Sequence, residues 1–146
     1  MRPPWYRTWL DVAEIVSRRA TCDRKHVGAV IVSPENHVVA TGYNGSPAGM
    51  PHCDDVGHEL KEIGGRDSCV RTLHAESNAL DQAGKLAKGC VVYTTVYPCY
   101  DCAKRIVNSG IWKVVYREFY LSRNTEEVQK LFTSAGVALL AEPDAG

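Results

Sequence analysis

Apolar side chains recur at helical spacing near the start of the chain, at Trp5, Trp9, Val12, Ala13 and Val16, with Arg7, Asp11, Glu14 and Arg18 on the other face. That pattern predicts an amphipathic helix ending near Arg19. Residues 27–32 form an apolar, β-branched run, and Ser33, Pro34, Glu35 and Asn36 supply a turn. Residues 38–42 then resume as a second strand, so the pair predicts a hairpin. From Tyr43 to about Arg71 the periodicity fails, and Gly45, Pro47, Gly49, Pro51, Gly57, Gly64 and Gly65 predict a long loop. A loop of that length in a compact domain is usually functional or held in place by something.

Regular structure resumes after the loop. Residues 73–83 predict a helix, with Ala75, Ala79, Leu80 and Ala83 small or apolar and Thr72 placed to cap it. Residues 90–96 read as a buried strand stopped by Pro98, with Cys90 as a small core residue. Residues 99–108 predict a helix closed by Gly110, and residues 113–116 a short strand. A helix over 126–135 stopped by Gly136, a last strand over 137–140 and a frayed tail over 142–146 complete the chain. A helix, a hairpin and then alternating helices and strands predict an α/β layered sheet in one domain, residues 1–146.

Charge narrows the partners. Lys plus Arg equals Asp plus Glu at 17 each, so the formal net charge is zero and no large electrostatic footprint for nucleic acid is expected. The opening residues lack the apolar core of a signal peptide, and no run reaches bilayer length, so a cytoplasmic protein without a membrane partner is expected. In that compartment the six cysteines, Cys22, Cys53, Cys69, Cys90, Cys99 and Cys102, read as thiols or metal ligands before disulfides.

Two short stretches carry the candidate chemistry: His74-Ala75-Glu76 and Pro98-Cys99-Tyr100-Asp101-Cys102. Cys99 and Cys102 are three apart, so in the first turn of a helix they lie on one side. The unpaired N–H groups and positive dipole end of a helix start favour thiolates. His74 completes three protein ligands, and three ligands with an open fourth position is the pattern of a catalytic zinc. Glu76, two residues from His74, does not share its helix face and is free to act on water in that fourth position. Zinc acidifies such a water to a pKa of about 7. Attack on an amidine-like ring carbon, with Glu76 moving protons to the ring nitrogen and then to the departing amine, is hydrolytic deamination. Taken singly the halves say less: His-x-Glu is usually a surface pair, and Cys-x-x-Cys also serves zinc knuckles and redox sites.

At these residues the chain resembles the zinc-dependent cytidine deaminase superfamily, and more narrowly the deoxycytidylate (dCMP) deaminase family. The narrower likeness rests on Ser17-Arg18-Arg19-Ala20-Thr21-Cys22, Val27-Gly28-Ala29-Val30-Ile31, Gly42-Tyr43-Asn44-Gly45-Ser46-Pro47, Pro51-His52-Cys53-Asp54-Asp55 and His74-Ala75-Glu76-Ser77-Asn78-Ala79. Ser77 departs from the Leu or Ala usual after the glutamate, a change expected to leave the chemistry untouched. The resemblance implies a three-layer α/β/α fold with a five-stranded mixed sheet, and conversion of dCMP to dUMP and ammonia. It also implies a homo-oligomer, commonly a hexamer, activated by dCTP with Mg2+ and inhibited by dTTP.

A monophosphate substrate needs further groups. Asn44 is the candidate for the deoxyribose hydroxyl, as in the family, although Asn44-Gly45 is also a plain turn signal. Arg24 suits phosphate oxygens, with Tyr120 as a further donor, although both also suit a solvated surface. Tyr97 is a weaker candidate for a wall against the base. Cys22, Cys53 and Cys69 with His58 or His52 would make a second, closed, structural zinc site holding the long loop. A free cytidine or deoxycytidine deaminase, a tRNA adenosine deaminase and a non-catalytic zinc-binding interaction module remain as alternatives.

Overall fold

The computed structural model describes residues 1–21, 25–46, 49–50, 60–63, 66–69, 73–119 and 124–145, with 60–63 and 66–69 described by backbone alone. In chain order the elements are α1 (Trp5–Ser17), β1 (Gly28–Val32), β2 (Val38–Tyr43), β3 (Leu60–Ile63), β4 (Arg66–Cys69), α2 (Ala75–Ala83), β5 (Val91–Val96), α3 (Tyr100–Asn108), β6 (Lys113–Glu118), α4 (Thr125–Ala135) and β7 (Ala138–Ala141). The main sheet has the order β2-β1-β5-β6-β7. β1 runs antiparallel to both β2 and β5, whereas β5, β6 and β7 are parallel, so the sheet is five-stranded and mixed as expected. The parallel half is joined through α3 and α4, the crossover that parallel strands require.

Alternation along the strands sorts the core onto two faces. Val30 and Val32 of β1 pack with Val91 and Tyr93 of β5 and with Leu10 and Ala13 of α1. Ala29 and Ile31 face the other way, with Val92, and join Ala75 and Ala79 of α2, Ala103 and Ile106 of α3 and Val128 and Phe132 of α4. Among the described residues, one helix covers one face and three cover the other, which is the three-layer α/β/α arrangement.

Two glycines set how closely the helices approach. A Cβ on Gly28 would fall on the Ala13 carbonyl oxygen and lie 2.8 Å from the Ser17 nitrogen. A Cβ on Gly42 would fall on the Ala75 carbonyl oxygen and lie 2.5 Å from the Ala79 nitrogen. Glycine at these two strand positions lets α1 and α2 rest their backbones directly on opposite faces of the sheet.

Several expectations are corrected. The stretch predicted to be an unbroken loop contains the hairpin β3–β4, paired from Leu60↔Cys69 to Ile63↔Arg66. Its strands, LKEI and RDSC, are four residues each and lack an apolar alternation, which is why periodicity missed them. Gly64-Gly65 between them was the available hairpin signal in the sequence. α1 ends at Ser17 with Arg18 as its cap, close to the expected end near Arg19. Ala13 is buried and Trp9 and Val12 pack on the core as expected, but Leu10 and Ser17 are buried too, while Trp5 is 57% exposed and stacks on Trp9. α2 begins at Ala75, because Leu73 is held in an antiparallel bridge to Gly45; the cap expected from Thr72 lies outside the described residues. The expected frayed tail is instead anchored: residues 142–144 form a 3-10 turn, and Glu142 accepts two hydrogen bonds from Arg117, at 3.1 and 2.8 Å.

Candidate active site

The N-termini of α2 and α3 converge beside the end of β5. His74 is the residue before α2 and Cys99 the residue before α3, each in an extended conformation, and Cys102 lies in the first turn of α3. Cys99 caps its helix rather than belonging to it: its Sγ accepts a hydrogen bond from the Cys102 N–H at 3.5 Å. His74 Nδ1 stands 3.3 Å from Cys99 Sγ and 3.4 Å from Cys102 Sγ. All three potential ligand atoms lie within 4.8 Å of one another.

The donor set fits zinc. Bonds of about 2.1 Å to nitrogen and about 2.3 Å to sulfur in a tetrahedron separate N from S by about 3.6 Å, close to the separations observed. Cys102 is buried, Cys99 half-buried and His74 exposed, so the group opens to solvent on one side. An open side is what a catalytic zinc needs for water and substrate.

The protonation chemistry is strongly perturbed. The Cys99 thiolate is favoured, its pKa pulled down to about 4 by the hydrogen bond from the Cys102 side chain and then by His74. The Cys102 thiol is pushed up because it donates to Cys99, and burial adds to the effect. The hydrogen bond to Cys99 raises His74 to about 9. A metal dication favours the deprotonated forms of all three. Glu76, in the first turn of α2, is 5% exposed, and burial raises its carboxyl to about 7 against the opposing pull of His74.

Backbone contacts tie this centre to the loop after β2. Gly45 and Leu73 exchange both bridge hydrogen bonds, at 3.1 and 2.8 Å, and Asn78 of α2 donates to the Tyr43 carbonyl at 2.9 Å. Asn44, between them, is 8% exposed. Its Oδ1 accepts from the Val27 N–H at 2.8 Å and its Nδ2 donates to the Lys25 carbonyl at 2.5 Å. Among the described residues, one amide N–H and one oxygen lone pair remain for another partner. Tyr97 is 4% exposed and packs edge-on against Tyr116 and Phe119, so its ring is a core element. Arg24, Tyr120, Cys22, Cys53, His52 and His58 lie outside the described residues, and Cys69 closes β4 with only its backbone described.

A family model for the cytidine and deoxycytidylate deaminase zinc-binding region matches residues 3–118. This chain belongs to that deaminase family. Among its relatives, ComE operon protein 2 of Bacillus subtilis is 39% identical over 141 residues, covering 94% of this chain and 71% of that one. The deoxycytidylate deaminase of Saccharomyces cerevisiae is 36% identical over 144 residues, covering 95% of this chain but 45% of its own length. The crystal structure of the dCMP deaminase from cyanophage S-TIM5 in complex with dCMP and dUMP superposes with a TM-score of 0.77 at 29% identity, over 97% of this chain and 98% of that one. The family's zinc-binding character and the His74, Cys99 and Cys102 cluster agree on the same metal.

The deaminase motif was legible in sequence, but some of what supports it was not. Gly42, which lets α2 settle on β2, Asn78, which ties α2 to Tyr43, and Ser77, whose hydroxyl lies 3.6 Å from Cys102 Sγ, carry no local signal of those contacts. No helix among the described residues is long and apolar enough to cross a membrane.

Proposed function

We propose that this protein is a zinc-dependent dCMP deaminase, converting dCMP and water to dUMP and ammonia. The observation that carries the reading is the one-imidazole, two-thiol cluster of His74, Cys99 and Cys102 with the buried carboxyl of Glu76 in the same helix turn. Zinc held by those three side chains would supply an acidified water. Glu76 removes a proton from that water and places it on the pyrimidine ring nitrogen, N3, as the oxygen bonds to C4. The carboxyl then carries the second proton to the amino group, which leaves as ammonia when the C4–N bond breaks. A carboxyl raised to about 7 can both accept and return a proton near neutral pH.

The substrate assignment draws on the deoxycytidylate deaminases among the relatives. Asn44, with one N–H and one lone pair to spare, holds the deoxyribose hydroxyl, while Arg24 and Tyr120 take the phosphate. Cys22, Cys53, Cys69 and His58, or His52 in its place, bind a second, structural zinc that secures the segment between β2 and α2. The protein works in the cytoplasm as a homo-oligomer, a hexamer, with dCTP and Mg2+ activating and dTTP inhibiting.

The test is ammonia release from dCMP, CMP, deoxycytidine and dCTP, each with and without added dCTP or dTTP. Wild-type protein should prefer dCMP, and Glu76→Gln should lose on the order of 100-fold or more of the rate while keeping its catalytic zinc. Full activity in Glu76→Gln would defeat the mechanism. Equal turnover of deoxycytidine, unaffected by Arg24→Ala, would favour a nucleoside deaminase. Metal analysis addresses the structural site: two zinc ions per chain are expected, falling to one in Cys53→Ser.

A further inference from the structure

We propose that Ser77 is a positioning residue of the metal centre: its hydroxyl donates a hydrogen bond to the Cys102 sulfur and holds that thiolate in its ligating orientation. The proposal rests on the zinc reading above and adds to it a residue outside the ligand set and the proton shuttle.

The two sulfurs are supported differently. Cys99 precedes its helix, so the free backbone N–H of Cys102 reaches its Sγ at 3.5 Å. Cys102 is one turn further in and 1% exposed, away from the hydration that would otherwise stabilise a thiolate. Beside its sulfur, together with the fellow ligands His74 and Cys99 and the Glu76 carboxyl, lies the Ser77 Oγ at 3.6 Å, within hydrogen-bond range for sulfur. Ser77 is itself buried at 8% exposure and reaches across from α2 to α3. When Cys102 is deprotonated, only the hydroxyl has a proton to donate, which fixes the direction of the bond.

A buried helical serine more often bonds back to a carbonyl three or four residues earlier. Here, among the described residues, the Ser77 hydroxyl meets the Cys102 sulfur rather than either of those carbonyls. Serine is also a weaker helix former than alanine, so Ser77 serves its helix less well than alanine would. The hydroxyl is therefore accounted for by what it touches across the interface. Groups that hydrogen-bond a metal ligand orient it and tune its donation to the metal.

Ser77→Ala, Ser77→Thr and wild type should be compared by zinc affinity in chelator competition and by the sulfur-to-metal charge-transfer band of the cobalt-substituted protein. Ser77→Ala should bind zinc about 10-fold more weakly and move the band to lower energy, because the thiolate lone pair loses its stabilising proton. Ser77→Thr, which keeps the hydroxyl, should lie closer to wild type on both readouts. Unchanged affinity in Ser77→Ala overturns the proposal. Weakened affinity with an unmoved band also overturns it, since a merely structural defect would do that. Wild-type protein with a normal thiolate–cobalt band but no activity on dCMP would refute the substrate assignment and leave this proposal standing. Wild-type protein with no such band would refute the metal centre and this proposal together.

Discussion

Gly42 of β2 lies directly under the carbonyl oxygen of Ala75, the residue between His74 and Glu76. The chemistry-bearing turn of α2 therefore sits at a height above the sheet that only a hydrogen side chain permits. Gly28 does the same for α1 on the opposite face, away from the metal ligands. The two positions form a matched pair for experiment. Each alanine substitution should destabilise the fold by about 2–3 kcal/mol, the upper range for overpacking. Gly42→Ala should also weaken zinc binding, whereas folded Gly28→Ala should bind zinc like wild type. Denaturant titration and chelator competition on both variants check this.

Burial sets the direction of the pH profile. The Glu76 carboxyl is raised from 4.5 to about 7, so it holds its proton at pH values where an ordinary glutamate is ionised. The basic form that accepts the proton from water is lost as pH falls through that raised value. The acidic limb of kcat/KM for dCMP is accordingly expected well above pH 4.5, with activity rising towards neutrality. Residual turnover by Glu76→Gln should lack that limb. An acidic limb at the ordinary carboxylate value would show that a different group acts as base.

Zinc removal should expose a reactive thiol. Cys99 is half-buried with a pKa pulled down to about 4, whereas Cys90 is buried, donates to the Leu86 carbonyl at 3.1 Å and is pushed up by desolvation. After chelation, alkylation at pH 7 mapped by mass spectrometry should modify Cys99 at least about 10-fold faster than Cys90. Re-adding zinc should protect Cys99 and Cys102 and leave Cys90 as it was.

Arg117 is a stability element remote from the ligands. Its guanidinium holds Glu142 with two hydrogen bonds and Asp11 with a third at 2.9 Å, joining β6 to the C-terminal turn and to α1. Its pKa is raised chiefly by the hydrogen bonds to Glu142. Arg117→Ala should cost about 1–2 kcal/mol, because the pairing is bidentate and partly buried but still touches solvent. Arg117→Ala and Glu142→Ala should be less than additive in the double variant, with kcat unaffected. Full additivity would show that the pair does not couple.

The reaction class was legible in the sequence because its signals are local. Pro98 before Cys99 and Cys102, and Glu76 two residues after His74, are short-range spacings whose meaning follows from the start of a helix. The same holds for the sheet, where the apolar runs of β1 and β5 announce strands buried on both faces. Where local pattern was weak, the reading failed. The four-residue strands β3 and β4 lack an apolar alternation. In α1 the apolar stripe marks the buried side at Ala13, Val12 and Trp9 but extends to Trp5, which is exposed, and omits Leu10 and Ser17.

Tertiary structure alone decided the rest. Ser77 and Cys102 are 25 residues apart, and no periodicity in either helix indicates that hydroxyl and sulfur meet. Gly28 and Gly42 read as ordinary strand residues until α1 and α2 lie on them. Glu142 read as tail until Arg117 reached it from β6. Local spacing determines which residues can share a helix turn and therefore which ligands and which base are available. Only packing of helix on sheet buries Glu76, which raises its pKa, and brings His74 against two thiols at the start of a different helix.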